Sequence, residues 1–241
     1  MVFDKESAFE EAVVTVLKQH GWDDAEGVLR YPTEQDLIDN WAKILFNNNA
    51  GIDRLNGCPL TQGEMAQVIE QIETLKTPLA LNGFINGKTV AITRDNPNDT
   101  LHLGKEVSLK IYDRQEIAAG QSRYQIAQQP VYPAKSKILN DRRGDLCLLI
   151  NGMPVIHIEL KRSDVPVSQA TGQIEKYAHE GVFTGLFRLV QIFVGMTPDE
   201  ARYFANPGAG AFNPNFFFHW EDFNNEPVCA GDKRGTDEWK R

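Results

Sequence analysis

The chain has 241 residues, of which 41% are hydrophobic and 24% charged, with a formal net charge of −8. That composition is ordinary for a globular protein, and the length admits one large domain or two small ones. The acidic balance excludes a protein that coats nucleic acid nonspecifically, yet it leaves room for a nuclease, because carboxylates that hold metal ions add negative charge.

Taken in chain order, "ESAFEEAVVTVLKQHGW" sets Phe9, Val13, Val16 and Leu17 at helical spacing and predicts a helix over about 6–19 that ends near Gly21. A second helix is expected after Thr33, with acids in its first turn and Leu37, Trp41, Ile44 and Leu45 on one face. Thr61 and Glu64 have capping-box spacing and open a third helix that should run to about Lys76. From 78 to 132 the pattern changes to short β-type runs, "TVAITR", "EVSLKIYD" and "RYQIAQ", separated by turn signals such as Asn86-Gly87 and "NPND". "GFINGKT" at 83–89 is not a phosphate-binding loop: three residues separate Gly83 from Gly87 where four are needed, so it reads as a hairpin turn and ATP is not expected to bind.

Residues 144–162, "GDLCLLINGMPVIHIELKR", form two apolar runs joined by Asn151-Gly152, with Asp145 at one end and Glu159 and Lys161 at the other. "VSQATGQIEKYAHEG" then predicts a helix ending at Gly181, and "RLVQIFVGM" an apolar strand buried on both faces. From about 206 the chain is rich in Gly, Pro and Asn but holds several aromatics, which suggests irregular packing against the core followed by a frayed end. Phe216–Phe218 suits core, or a face left exposed for a following domain. The fold class expected is α+β, a central mixed sheet flanked by helices, with one domain over 1–205 and an irregular tail over 206–241. Three cysteines, Cys58, Cys147 and Cys229, cannot all pair and lack metal-ligand spacing, which suits a reduced cytoplasm. No apolar run is long enough to span a membrane, and the acidic start is unlike a signal peptide.

The hairpin charges set the functional question. Charged groups are seldom placed beside buried strands unless they are paired, bind metal or do chemistry. Glu159 and Lys161 are two apart on one strand, so both project from one face, together with Val155 and His157. Read alone, they are a same-face ion pair and Asp145 a residue that opens a strand; His157 reads as a satisfied neighbour. Where Asp145 points depends on the loop. A two-residue turn at Asn151-Gly152 pairs Ile150 with Met153 and sets Asp145 opposite Ile158, on the wrong face. A three-residue loop, or a bulge, sets Asp145 opposite Glu159. A shared metal site requires the second arrangement. Lys135, Lys137, Arg142, Arg143, Lys161 and Arg162 make a mild basic cluster around this hairpin, which alone reads as a solvated face.

"GD" followed after thirteen residues by "ELK" resembles the Asp…(Asp/Glu)-x-Lys signature of the PD-(D/E)xK nuclease superfamily. Gln173 and Tyr177 in "QIEKY" match the Gln-x-x-x-Tyr motif of its RecB-like branch. "RLNGCPLTQGE", "VPVSQATGQIEKY" and "LVQIFVGMTPDEARYFAN" extend the likeness to the N-terminal nuclease domain of the R subunit of type I restriction–modification enzymes. One departure is Gly144, where the superfamily signature has proline. The resemblance implies a restriction-endonuclease-like core and a Mg²⁺ site, with Mn²⁺ as a substitute, held by Asp145, Glu159 and the Leu160 backbone carbonyl. It implies that Lys161 positions the attacking water and that Gln173 and Tyr177 support the site or the DNA strand. Glu10 on the first helix would be the family's additional acid, with Glu6 as the alternative; Arg143 and Arg162 would touch phosphates. Double-stranded DNA is the implied substrate, methylation and specificity subunits the implied partners, and ATP would serve only a motor region that this chain does not contain. A stand-alone exonuclease or repair nuclease, and a nuclease-fold scaffold without catalysis, are the alternative readings.

Overall fold

A computed structural model of the chain describes residues 2–50, 55–86, 89–111, 122–133 and 141–221. Helix α1, Glu6–Gln19, buries Phe9, Glu10, Val13 and Val14. After the short strand β1 (Leu29–Arg30) comes α2, Glu34–Asn49, whose Thr33 and Asp36 form a capping box and whose inward stripe is Leu37, Trp41, Ile44 and Leu45. Helix α3, Gln62–Thr74, starts from a second capping box between Thr61 and Glu64. The stretch after it departs from the β-type expectation. Residues Pro78–Ile85 form helix α4, because Thr77 accepts the Ala80 N–H as N-cap and Pro78 is preset for the first turn. Gly83, Phe84 and Ile85 are therefore the last turn of a helix, and the rest of the expected Asn86-Gly87 turn, Gly87 and Lys88, lies outside the described residues.

Strands β2 (Thr89–Thr93) and β3 (Glu106–Lys110) make a separate antiparallel pair. The central sheet takes in β4 (Tyr124–Gln128), β7 (Leu146–Ile150), β8 (Met153–Leu160), β9 (Ile192–Met196), β10 (Ala201–Ala205) and β11 (Phe218–His219), while β5 (Val131–Tyr132) and β6 (Arg142–Arg143) pair apart from it. Its seven strands run in the order β1-β4-β7-β8-β9-β10-β11. The β1–β4 and β8–β9 pairs are parallel and the others antiparallel, so the sheet is mixed. This is the α+β architecture expected, consistent with a restriction-endonuclease-like core.

Helix α1 packs on one face of the sheet, against Ile126, Leu146, Leu148, Ile158 and Leu160. The other face carries Ala127, Cys147, Leu149, Met153 and Val155 into the larger core with α2, α3 and α4. All of Leu146, Cys147, Leu148 and Leu149 are buried, so β7 is clamped from both sides; each aliphatic residue so buried contributes about 1.5–3 kcal/mol. Helix α5, Val167–Glu180, ends at Gly181 in the left-handed conformation and covers β9. Strand β9 is not buried on both faces as expected: Ile192 is 40% exposed, and Val194 and Met196 are half-buried. Helix α1 covers only part of that face, leaving a groove of about 270 Å³ lined by Val13, Leu17, Trp22, Val194, Met196 and Trp220. The segment after 205, expected to be irregular, adds β11 to the sheet edge, and Phe217 stacks on Phe204 with ring centroids 3.9 Å apart. Phe216 and Phe218 stay exposed. Cys58 is half-buried and Cys147 buried, both as free thiols, and Cys229 lies outside the described residues. Among the described residues no helix is long and apolar enough to cross a membrane.

Candidate active site

The facing of Asp145 is decided by two local features of the hairpin. Asn151 and Gly152 have φ of 50° and 84°, the two positive values of a type I′ turn, and Ile150 pairs with Met153. A two-residue turn alone would place Asp145 on the wrong face. The register then shifts: Leu149 pairs with Pro154 but Leu148 pairs with Ile156, so Val155 is an extra residue in β8. Beyond this bulge Leu146 pairs with Ile158, which brings Asp145 level with Glu159. Asp145 Oδ2 accepts the Leu160 N–H at 2.6 Å, and the Asp145 carbonyl accepts the Gln129 N–H at 2.7 Å. The bulge supplies what the metal reading required.

Glu159 is completely buried, and His157 Nε2 lies 2.9 Å from its Oε1 without the alignment of a hydrogen bond. Burial pushes its carboxyl up, and the Lys161 ammonium only partly offsets this. Burial also raises the Asp145 carboxyl, and the neighbouring Glu159 charge adds to the rise against the Leu160 N–H and Lys161. Two adjacent carboxylates, one half-buried and one fully buried, oppose each other's ionisation unless a cation lies between them. Lys161 Nζ donates to the Leu160 carbonyl at 2.8 Å and lies 3.4 Å from Glu6 Oε1. Asp145, Glu159, Leu160 and Lys161 are thus brought together at one end of the central strands.

Of the two acids considered on α1, Glu6 contacts Lys161, and its charge acts on both Asp145 and Glu159. Glu10 is instead held by Gln128 Nε2 at 2.7 Å and Gln129 Nε2 at 3.1 Å. It connects to Asp145 through Gln129, whose N–H donates to the Asp145 carbonyl.

Gln173 and Tyr177 lie one turn apart on α5, and Gln173 Nε2 donates to the Tyr177 hydroxyl at 2.8 Å. That hydroxyl donates to the Arg143 carbonyl at 2.9 Å, so the helix is tied to the backbone two residues before Asp145. Burial lifts the Tyr177 hydroxyl to about 12, which keeps it a neutral donor. The Arg143 guanidinium lies 5.5 Å from the Tyr31 ring centroid, and Arg162 is exposed. Arg142 pairs with Glu180 at 2.7 Å; Lys135 and Lys137 lie outside the described residues.

The family match falls on this constellation. The family described as type I restriction enzyme R protein N terminus (HSDR_N) matches residues 4–211. The chain belongs to that family. Within it, the chain is 30% identical over 228 residues to a type I restriction enzyme endonuclease subunit of Staphylococcus saprophyticus, covering 95% of this chain and 22% of the relative. A Staphylococcus aureus subunit of the same description is 28% identical over 95% of this chain and 22% of its own length. The EcoprrI endonuclease subunit of Escherichia coli is 26% identical over 83% of this chain and 65% of the relative. The chain therefore spans about a fifth of the length of its staphylococcal relatives.

In this R-protein N-terminal chain the donors fit a small, hard cation. Two carboxylates and one main-chain carbonyl are all oxygen, the chemistry of Mg²⁺ or Mn²⁺ rather than of zinc. Among the described residues no three His, Cys, Asp or Glu side chains converge as a metal cluster. Sequence reasoning passed over Tyr132, whose hydroxyl lies 2.7 Å from His157 Nδ1, and gave His157 no part in the site. No local motif marks Tyr132. The bulge had a signal in Pro154, since a proline inside a central strand is found at bulges.

Proposed function

We propose that this chain is the metal-dependent nuclease domain of a type I restriction enzyme R subunit, hydrolysing phosphodiester bonds of double-stranded DNA. One observation carries the reading: two carboxyl groups, half-buried Asp145 and fully buried Glu159, stand level with each other across the hairpin, and burial raises both. Such an arrangement costs several kcal/mol as a purely structural feature and becomes favourable with a divalent cation.

Asp145, Glu159 and the Leu160 carbonyl would hold Mg²⁺, with Mn²⁺ as a substitute. The ion's chemistry is to activate water and stabilise charge on the phosphate oxygens. Lys161, with its ammonium at the Leu160 carbonyl, orients the attacking water and offsets negative charge as the transition state forms. Tyr177, through the Arg143 carbonyl, keeps the approach to Asp145 in place, and Gln173 fixes the Tyr177 hydroxyl. Arg162 is free to meet a phosphate from its exposed position, whereas Arg143 would have to leave the Tyr31 ring. Glu6 is the better placed of the two α1 acids to act on the ion; Glu10 steadies Gln128 and Gln129. The relatives' names support an endonuclease that works as one subunit of a larger restriction enzyme; DNA would be its substrate and the cytoplasm its compartment. Methylation and specificity subunits would choose the site, and a motor region in the remainder of a longer chain would consume ATP.

Mn²⁺ titration by calorimetry tests the reading. Wild type should bind, and folded Asp145→Ala and Glu159→Ala variants should each lose binding. No wild-type binding at millimolar Mn²⁺ with a DNA duplex present would favour a scaffold. In the assembled enzyme, cutting of closed circular DNA separates an endonuclease from an exonuclease, which needs ends.

A further inference from the structure

His157 stands two residues before Glu159 on the same face of β8 and is completely buried. Its Nε2 lies 2.9 Å from Glu159 Oε1, yet the atoms are not aligned as a hydrogen bond, and both count as unpartnered in the described structure. On the other side of the ring, Nδ1 is 2.7 Å from the hydroxyl of Tyr132, itself fully buried. Two proton arrangements are open to a neutral imidazole. If Nδ1–H donated to Tyr132, the tyrosine proton would need another acceptor, and the Nε2 lone pair would face a carboxylate oxygen. If Tyr132 O–H donates to Nδ1, the proton sits on Nε2 and faces Glu159, its complement.

Resting on the nuclease reading of the site, we propose that Tyr132 and His157 are positioning residues for Glu159. Tyr132 fixes the imidazole as the Nε2–H tautomer, and His157 then holds Glu159 Oε1 through Nε2–H when Glu159 turns its other oxygen to the metal ion. Metal ligands depend on such outer hydrogen bonds for orientation, and losing one costs about 10–100-fold in affinity.

Gly144 belongs to the same device. A Cβ there would lie 2.8 Å from His157 Cε1 and 2.8 Å from a Tyr132 ring carbon. The residue before Asp145 is therefore glycine, where the superfamily signature has proline, because the Tyr132–His157 pair fills the space that a side chain would take.

The experiment has two parts on the full 241-residue chain. In the metal-free protein, ¹⁵N NMR of the histidine rings should show His157 protonated at Nε2, with the Nδ1 shift changed in Tyr132→Phe. Protonation at Nδ1 would overturn the proposal whatever the metal does. In calorimetry, His157→Leu should weaken Mn²⁺ binding at least tenfold. His157→Gln should stay within about threefold of wild type, because its amide accepts from Tyr132 and donates to Glu159. Melting curves select variants that remain folded. Equal affinity in wild type and His157→Leu overturns the positioning role and leaves the nuclease reading standing. Absence of wild-type Mn²⁺ binding overturns both.

Discussion

Neutralising one carboxyl of the site should make the metal-free protein more stable at alkaline pH, which inverts the usual cost of altering a buried residue. Asp145 and Glu159 are both raised to about 8, chiefly by burial. A carboxyl whose folded value lies above its unfolded value holds a proton that the unfolded chain has released. Its contribution is complete below the unfolded value near 4 and is lost as pH rises through the folded value. His157 acts in the opposite sense, because burial depresses it to about 4 and its contribution is lost as pH falls. The two effects oppose each other below about pH 6.5, so the clean window is pH 6.5–8. There the slope is about 1.4 kcal/mol per pH unit for each proton held. The pair titrates as a unit, and one retained proton over 1.5 pH units gives a loss of about 2 kcal/mol. For a chain of this size that lowers Tm by about 4–8 °C. Glu159→Gln should remove most of this fall and melt above wild type at pH 8. Mn²⁺ should restore wild type at pH 8 and release protons. Scanning calorimetry in EDTA across the window measures the slope. A wild-type Tm that is flat from 6.5 to 8, or a Glu159→Gln variant that melts lower at pH 8, would refute the account of two adjacent carboxyls raised by burial.

Three further outcomes follow from particular contacts. Arg94, fully buried between Glu64 at 2.6 Å and Asp99 at 2.9 Å, also bonds the Cys58 carbonyl. Arg94→Met should cost about 3–5 kcal/mol by stranding two buried carboxylates, read as a lower urea midpoint. Tyr177→Phe removes the bond to the Arg143 carbonyl and should cost about 1 kcal/mol in the same assay, with weaker Mn²⁺ binding as Asp145 loosens. Lys161→Met should keep Mn²⁺ binding but slow cutting of closed circular DNA by the assembled enzyme by about 10²–10⁴-fold; undiminished cutting would remove Lys161 from the reaction.

What was legible in the sequence follows the range of the interactions involved. The start of α2 after Thr33, the capping box at Thr61, the apolar stripes of α1 and α2 and the Asn151-Gly152 turn are local, and each was read from neighbouring residues. Helix α4 was missed because "PLALNGFI" lacks a polar face and sits among β-type runs, although Thr77-Pro78 was a usable start signal. The incomplete cover of β9 depends on where α1 lies across the sheet, which no local pattern encodes.

The two carboxylates of the candidate site show the same division at finer scale. Sequence spacing put Glu159 and Lys161 on one face, but Asp145 could join them only if an extra residue interrupted the hairpin. Pro154 carried that information. A proline cannot donate to the ladder, so a central strand accepts one where the ladder is already broken, and the break falls beside it at Val155. The residue that looks least suited to β8 is thus the one that marks how Asp145 comes to face Glu159. Tyr132, by contrast, reaches the site from a strand outside the central sheet, and its contact with His157 fills the space that a side chain at Gly144 would take. Space left for a distant side chain has no sequence pattern of its own, and for that reason the Tyr132–His157 contact beside Glu159 emerges only from the assembled fold.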